Sequence, residues 1–304
     1  MAEISSETDI SRKKRDTRGL LLTRRGEEST GKRPTEQQRS PTTTMFKGLR
    51  EQWKALEDCV VRPPRANYQT SELIGGTSGR FAVGEAVSRR EDVTLTNPRG
   101  EKIKCSYYKP PGREENLPCV VYCHCNSGSR CDANEVVALL VPCGMAVLAL
   151  DFSGSGMSEG EYVTLGVREV EDVDTAVKFL RTRSTGHIGM WGRSMGAVVC
   201  LLYGQRDPSI SGIVLDSPFS NLASLMEDLA CGQGLRIPRV MVKSLIGFLR
   251  RSIRKRAGFD IYLADPLAAA TSSFIPALVS PRSSVFSFHR RIERTNERTS
   301  ERAR

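Results

Sequence analysis

A chain of 304 residues with 39% apolar side chains can bury one large core or two small ones. Its net charge of +10 is peripheral: residues 1–44 carry +3, residues 235–256 carry +8 and residues 281–304 carry +4, which leaves −5 on the rest and argues against a nucleic-acid-binding body. Nine cysteines, an odd number, with no apolar signal segment after Met1, point to a reducing, cytoplasmic location.

Residues 1–44 are polar, charged and free of aromatic residues, and read as a disordered basic extension. Met45 opens the first amphipathic segment, over 46–56, and is an alternative translation start. A globular domain is expected over 45–280. It begins with a hairpin, 91–96 and 102–108, turning at Pro98-Arg-Gly100. Short β-rich runs then alternate with helical ones: strand 117–123, helix 133–141, strand 145–151, helix 165–183, strand 187–191, helix 195–203 and strand 212–217. In the helix over 165–183, Val167, Val170, Val173, Val177 and Leu180 share one face, and Glu169, Glu171, Asp172 and Asp174 are expected to be solvated on the other. The apolar stretch 136–152 is too short to cross a bilayer and is split by Pro142 and Gly144. Continuous apolar strands alternating with helices mean an α/β fold: a mostly parallel sheet with helices on both faces and sites at the carboxyl ends of its strands.

Residues 220–262 interrupt the alternation. There Ile237, Val240, Met241, Leu245, Phe248, Leu249 and Ile253 form a helical stripe behind Pro238, with a basic far face. Two readings follow: a small helical cap closing over the sheet, or a helix lying on an anionic membrane or an acidic partner. A last strand is expected over 274–279, followed by a disordered arginine-rich tail over 281–304.

The chemistry centres on Gly192-Arg-Ser-Met-Gly196, a G-x-S-x-G motif between a strand and a helix. A serine on so sharp a turn is exposed for attack, glycines on both flanks remove colliding side chains, and the helix amino terminus aims free N–H groups at a developing oxyanion. The segment Val120-Val-Tyr-Cys-His-Cys-Asn-Ser-Gly-Ser-Arg130 has the strand-to-loop order and shape to supply a second backbone donor, with His124 shaping the loop. The third piece, Leu150-Asp-Phe-Ser-Gly154 and its continuation to Gly160, is Gly-rich but lacks the lysine of a phosphate loop. Cys119, Cys123, Cys125 and Cys131 lack paired zinc-ligand spacing, so neither metal nor cofactor is expected.

These pieces, in this order, resemble the α/β-hydrolase superfamily, in its branch of small intracellular serine hydrolases related to the serine aminopeptidase and α/β-hydrolase-domain proteins of plants and protists. The resemblance spans about 46–279 and includes Val61-Arg-Pro-Pro-Arg-Ala-Asn-Tyr68, the Asp151 turn, the Ser194 motif and Leu215-Asp-Ser-Pro-Phe219. It implies Ser194 as nucleophile, the backbone N–H groups of Cys125 and Met195 as oxyanion hole, Asp151 shaping its turn, and a small-molecule ester, thioester or peptide substrate. Acyl-protein thioesters are a further option within the enzyme class. Cys125 departs from the glycine usual after the loop histidine.

The same resemblance places the acid soon after strand 274–279 and the histidine after one more strand. No Asp follows Val279, and only His289 lies beyond Ser194 in chain order. His289 is therefore a candidate base and Asp216, at the end of strand 212–217, an alternative acid position. The expectation is a hydrolase fold whose last strand, acid and histidine are replaced by an unrelated end, giving little or no turnover. A non-catalytic binding protein on the same fold is the competing reading.

Overall fold

The computed structural model describes residues 41–112, 116–183, 185–221 and 239–280. The described residues from 47 onward form one compact unit; of residues 1–46, the described part is 41–46, which already belongs to the first helix, α1 (Pro41–Val61). Helix therefore begins four residues ahead of Met45 and runs past the amphipathic segment at 46–56.

Among the described residues eight strands make one sheet: β1 (Arg80–Val83), β2 (Ala86–Thr96), β3 (Lys102–Tyr108), β4 (Cys119–Cys123), β5 (Ala146–Leu150), β6 (Ile188–Arg193), β7 (Gly212–Asp216) and β8 (Ala277–Ser280). They lie in the order β1-β2-β3-β5-β4-β6-β7-β8. β2 and β3 are the expected hairpin. β3 joins β5 antiparallel, and from β5 to β8 every pairing is parallel.

The alternation of side chains along β4 explains the layering. Cys119, Val121 and Cys123 join a core cluster with α3 (Glu169–Thr182) and α4 (Met195–Arg206), whereas Tyr122 points to a second cluster built on α2 (Asn134–Leu140). All five residues of β5, Ala-Val-Leu-Ala-Leu, are buried because both of its faces are covered. The sheet therefore carries helices on both faces, as its sequence pattern demands.

The cap region is described from Arg239 onward, where α5 (Arg239–Ala257) begins. The apolar stripe expected there divides. Ile246, Leu249, Ile253 and Ala257 are buried in the core cluster with Val60 and Val61 of α1, while Met241, Leu245 and Phe248 point outward, 62%, 40% and 63% exposed. Arg256 fixes the seat through Glu57 and Asp58 of α1, the latter at 2.6 Å. The Arg168 guanidinium adds a bond to the Ala257 carbonyl. α6 (Pro266–Ser272), capped by the Asp265 carboxylate, leads into β8.

β8 is the last strand among the described residues, and the segment expected to form the arginine-rich tail lies outside them. Phe274, just ahead of β8, is 99% exposed and Leu278 within it 67%.

One expectation fails. Glu169 and Asp172 are fully buried rather than solvated. Glu169 accepts bonds from the N–H groups of Thr164 and Gly166 and from the Thr164 hydroxyl. Asp172 accepts from Asn97, Arg99, and both the N–H and hydroxyl of Ser153. The helix places these two carboxylates toward loops that need acceptors, and burial raises both pKa values despite the bonds they receive.

Candidate active site

Ser194 sits between β6 and α4 with φ 52° and ψ −112°. A non-glycine residue pays a conformational penalty there, and the surroundings enforce it. The Ser194 N–H donates to the Asp216 carbonyl at 2.8 Å, while the Ser194 carbonyl accepts from Ala197 and Val198 at 3.0 and 3.2 Å. The chain thus reverses within one residue, from sheet bonding on one side to helix bonding on the other.

Both flanking glycines are required by space. A Cβ on Gly192 would lie 2.2 Å from the Gly196 carbonyl oxygen, and one on Gly196 would lie 2.0 Å from the Cys123 carbonyl oxygen and 2.7 Å from that of His124. The start of α4 therefore rests directly on the end of β4. The register agrees, with Cys123 opposite Gly192. This contact sets the first turn of α4 against the loop that carries Cys125. Met195, first in the helix, has no helical carbonyl behind it to occupy its N–H.

That loop is held by its histidine. The Phe152 N–H donates to His124 Nε2 at 3.0 Å, and His124 Nδ1 donates to the Cys125 carbonyl at 2.7 Å. An amide can only donate and a carbonyl only accept, so the ring is neutral with its proton on Nδ1. Burial lowers the His124 pKa, in keeping with this state. Both ring nitrogens are engaged, so His124 has no lone pair for the serine. Asn126, next along, donates from Nδ2 to the Cys59 carbonyl of α1 at 3.4 Å.

Asp151 organises the neighbouring turn. Its carboxylate accepts from the N–H groups of Arg130 (2.7 Å) and Met157 (2.9 Å) and from the Tyr68 hydroxyl (2.6 Å). A Cβ on Gly156 would strike this carboxylate at 2.4 Å from Cγ, which accounts for glycine there. Arg130, 3% exposed, bonds Tyr68, Ser106 and the Cys105 carbonyl. Burial and the Asp151 charge push the Tyr68 hydroxyl far above its ordinary range. Sequence reasoning does not single out Arg130 or the tyrosine as a site, although Tyr68 closes the 61–68 segment.

Of the candidate acid and base, the described residues include the acid, Asp216. Asp216 ends β7 opposite Arg193, and its carboxylate faces the Arg193 guanidinium at 3.4 Å and the Ser217 hydroxyl at 2.8 Å. His187 precedes β6, at the end of the sheet opposite Ser194, and contacts Ser211 at 3.2 Å. His289 lies outside the described residues. Among the described residues, no imidazole hydrogen-bonds the Ser194 hydroxyl. Nor do three His, Cys, Asp or Glu side chains converge there as a metal site. The eight cysteines described are all free thiols.

Comparison with known proteins agrees with this fold. The family Hydrolase_4, serine aminopeptidase S33, matches residues 114–274. Mouse monoglyceride lipase is 30% identical over 187 residues, 57% of this chain and 59% of the lipase, so the chain spans well under two thirds of that relative. The uncharacterised protein YqkD of Bacillus subtilis is 30% identical over 210 residues, 66% of each chain. In structure, the Pyrococcus furiosus esterase Pf2001 superposes with a TM-score of 0.51 at 22% identity, over 68% of this chain and 78% of the esterase, a likeness of fold. With an eight-stranded, mostly parallel sheet, a serine on a sharp strand-to-helix turn and a family match over more than half its length, the chain belongs to the serine aminopeptidase S33 family of α/β-hydrolases.

Proposed function

We propose that this protein is an ester hydrolase in which Ser194 is the nucleophile, forming an acyl-enzyme on a small-molecule carboxylic ester. The observation that carries the reading is the positive φ of Ser194 between two glycines that tolerate no side chain. A strained serine at a helix amino terminus is poised where attack and oxyanion stabilisation meet. In this reading the N–H groups of Met195 and Cys125 receive the negative charge of the tetrahedral intermediate. Lipase and esterase relatives support an ester over a thioester or peptide.

The proton of Ser194 needs an acceptor. His124 and His187 do not provide it, and His289 is the one histidine after Ser194 in the chain. Asp216 is engaged by Arg193 and Ser217, which favours a structural role for its carboxylate. We propose, as the sequence pattern suggests, that turnover by this chain is slow, at the level that an oxyanion site and binding support without a base. The test is labelling with a fluorophosphonate probe together with hydrolysis of 4-nitrophenyl acetate. Slow labelling confined to Ser194, abolished in Ser194→Ala, supports the reading. Brisk hydrolysis that is lost in both Ser194→Ala and His289→Ala overturns the impaired half and keeps the enzyme. Hydrolysis unaffected by Ser194→Ala overturns the nucleophile.

The outward face of α5 supports a second element of this function, contact with an anionic membrane that delivers lipid esters. Met241, Leu245 and Phe248 lie within about one quarter-turn of each other, and Arg251 and Lys255 continue the same side. No helix among the described residues is long and apolar enough to cross a membrane. Sedimentation with vesicles containing phosphatidylserine checks the contact: Phe248→Ser should release the protein, and equal binding to neutral vesicles would refute the electrostatic part.

A further inference from the structure

β1 and β2 pair antiparallel, and their register sets Arg80 directly opposite Arg89. Directly opposed residues project from the same face, so the two arginine side chains leave the sheet side by side. Like charges in this position destabilise a sheet unless something of opposite charge lies between them. Among the described residues no carboxylate pairs with either arginine. Two acids, Glu91 and Asp92, border the same space, and both are already engaged. Glu91 pairs with Arg183 at 2.6 Å, and Asp92 accepts from Arg90, Ser106 and Arg130. Both arginines line an open cleft of about 1060 Å³, which the 77–79 turn and Lys109 also border.

The cleft is separate from the Ser194 site. None of the residues that line it belongs to the 120–130 segment or to the Ser194 turn. It is as large as small-molecule pockets generally are, and its lining is dominated by polar groups. Two arginines bordering one space can offer it planar guanidinium forks, which match the oxygens of a phosphate group that accepts several charge-assisted bonds at once.

We propose that the Arg80–Arg89 cleft binds a phosphate-bearing ligand, which bridges the two guanidinium groups and removes their repulsion. The phosphate is either that of a soluble molecule or that of a lipid headgroup. The cleft is large enough to take the body attached to it.

The experiment uses the full 304-residue chain, titrated calorimetrically with inorganic pyrophosphate and, separately, sedimented with phosphatidylcholine vesicles with or without about 20% phosphatidic acid. Binding in either arm that falls at least about tenfold in both Arg80→Ala and Arg89→Ala supports the proposal, tenfold being the scale of one lost charge-assisted bond. The responding arm identifies the source of the phosphate. Arg89→Lys keeps the charge without the fork and should fall between the parent and Arg89→Ala. Arg89→Glu should abolish binding yet raise the melting temperature of the ligand-free protein at low salt, because opposite charges then face each other. Circular dichroism of each variant confirms folding. Binding that none of these substitutions changes, or no binding in either arm at millimolar phosphate, overturns the proposal. So would Arg89→Ala that aggregates while binding as the parent does, since the arginines would then serve only to protect the β1 edge from pairing with other sheets.

Discussion

Gly196 stands so close to Cys123 that a Cβ on the glycine would lie 2.0 Å from the cysteine's carbonyl oxygen. This contact joins the helix behind the nucleophile to the strand before the oxyanion loop, and both partners are backbone, so neither can move aside. Gly196→Ala should cost about 3 kcal/mol, at the upper end of overpacking penalties. Gly204 lies in the same helix, but an added Cβ there meets the tip of Ile213 at 2.9 Å, a side chain that can rotate. Gly204→Ala also gains helix propensity of about 1 kcal/mol. It should be close to neutral. Urea unfolding midpoints of the two variants check the contrast, and equal losses would refute the backbone explanation.

The strain at Ser194 predicts a conflict between stability and reactivity. A non-glycine residue at φ 52° and ψ −112° carries about 1–3 kcal/mol of strain, and glycine relieves it at an unfolded-state cost of about 0.5–1 kcal/mol. Ser194→Gly should stabilise the fold by about 1 kcal/mol while removing every trace of covalent labelling. Ser194→Ala keeps the Cβ and the strain, so it should lose labelling without the stability gain. Thermal melts of the two variants in parallel distinguish them.

Asp151, Arg130 and Tyr68 form a buried unit whose members are not equivalent. Tyr68→Phe removes one donor to Asp151 and one acceptor for Arg130 and should cost about 1–3 kcal/mol. Arg130→Met leaves the Asp151 carboxylate, fully buried, without its cation and should cost about 3–5 kcal/mol. Denaturant titration of the two variants gives the order, and a larger loss for Tyr68→Phe would show that the arginine is dispensable to the carboxylate.

Much of this was legible because the strands announce themselves. Runs such as Val120–Tyr122 and Ala146–Leu150 are β-rich and apolar, and the hairpin at 91–108 carries its own turn. The Gly192–Gly196 spacing pointed to the elbow for a reason the structure gives in distances. Less legible were groups whose partners lie far along the chain. Asp172 reads as a solvated helix acid because its acceptor role depends on Asn97 and Arg99, more than seventy residues away. Arg130 gives no local sign of burial, since its partners come from four separate segments, at Tyr68, Asp92, Cys105–Ser106 and Asp151. The stripe on α5 was visible, but helical period alone cannot tell an apolar face that packs, such as Leu249, from one that points outward, such as Phe248. The facing of Arg80 and Arg89 was hidden too, because it depends on the register of a four-residue strand.

His124 makes the last prediction, a dependence of stability on pH. In the folded protein the ring is neutral, with both nitrogens bonded and its pKa lowered by burial from the ordinary value of 6.5. In the unfolded chain it takes up a proton near pH 6.5. Below that pH the unfolded state binds a proton that the folded state refuses, so stability is fully present above about pH 6.5 and falls as pH drops toward the lowered folded value. The slope approaches about 1.4 kcal/mol per pH unit. Asp92 and Asp207, whose pKa values are lowered from 3.8 by their hydrogen bonds and cationic neighbours in spite of burial, lose their contribution in a separate and more acidic window. His124→Gln should be less stable than the parent at about pH 7.5, because glutamine cannot restore both bonds at once, and should lose less on going to about pH 5.5. Urea unfolding of the two proteins at about pH 7.5, 6.5 and 5.5 isolates the histidine, since every other titrating group is common to both. A difference between them that shrinks below about pH 6.5 confirms the buried neutral ring. A constant difference would mean that the ring takes up its proton as readily in the folded protein as in the unfolded chain.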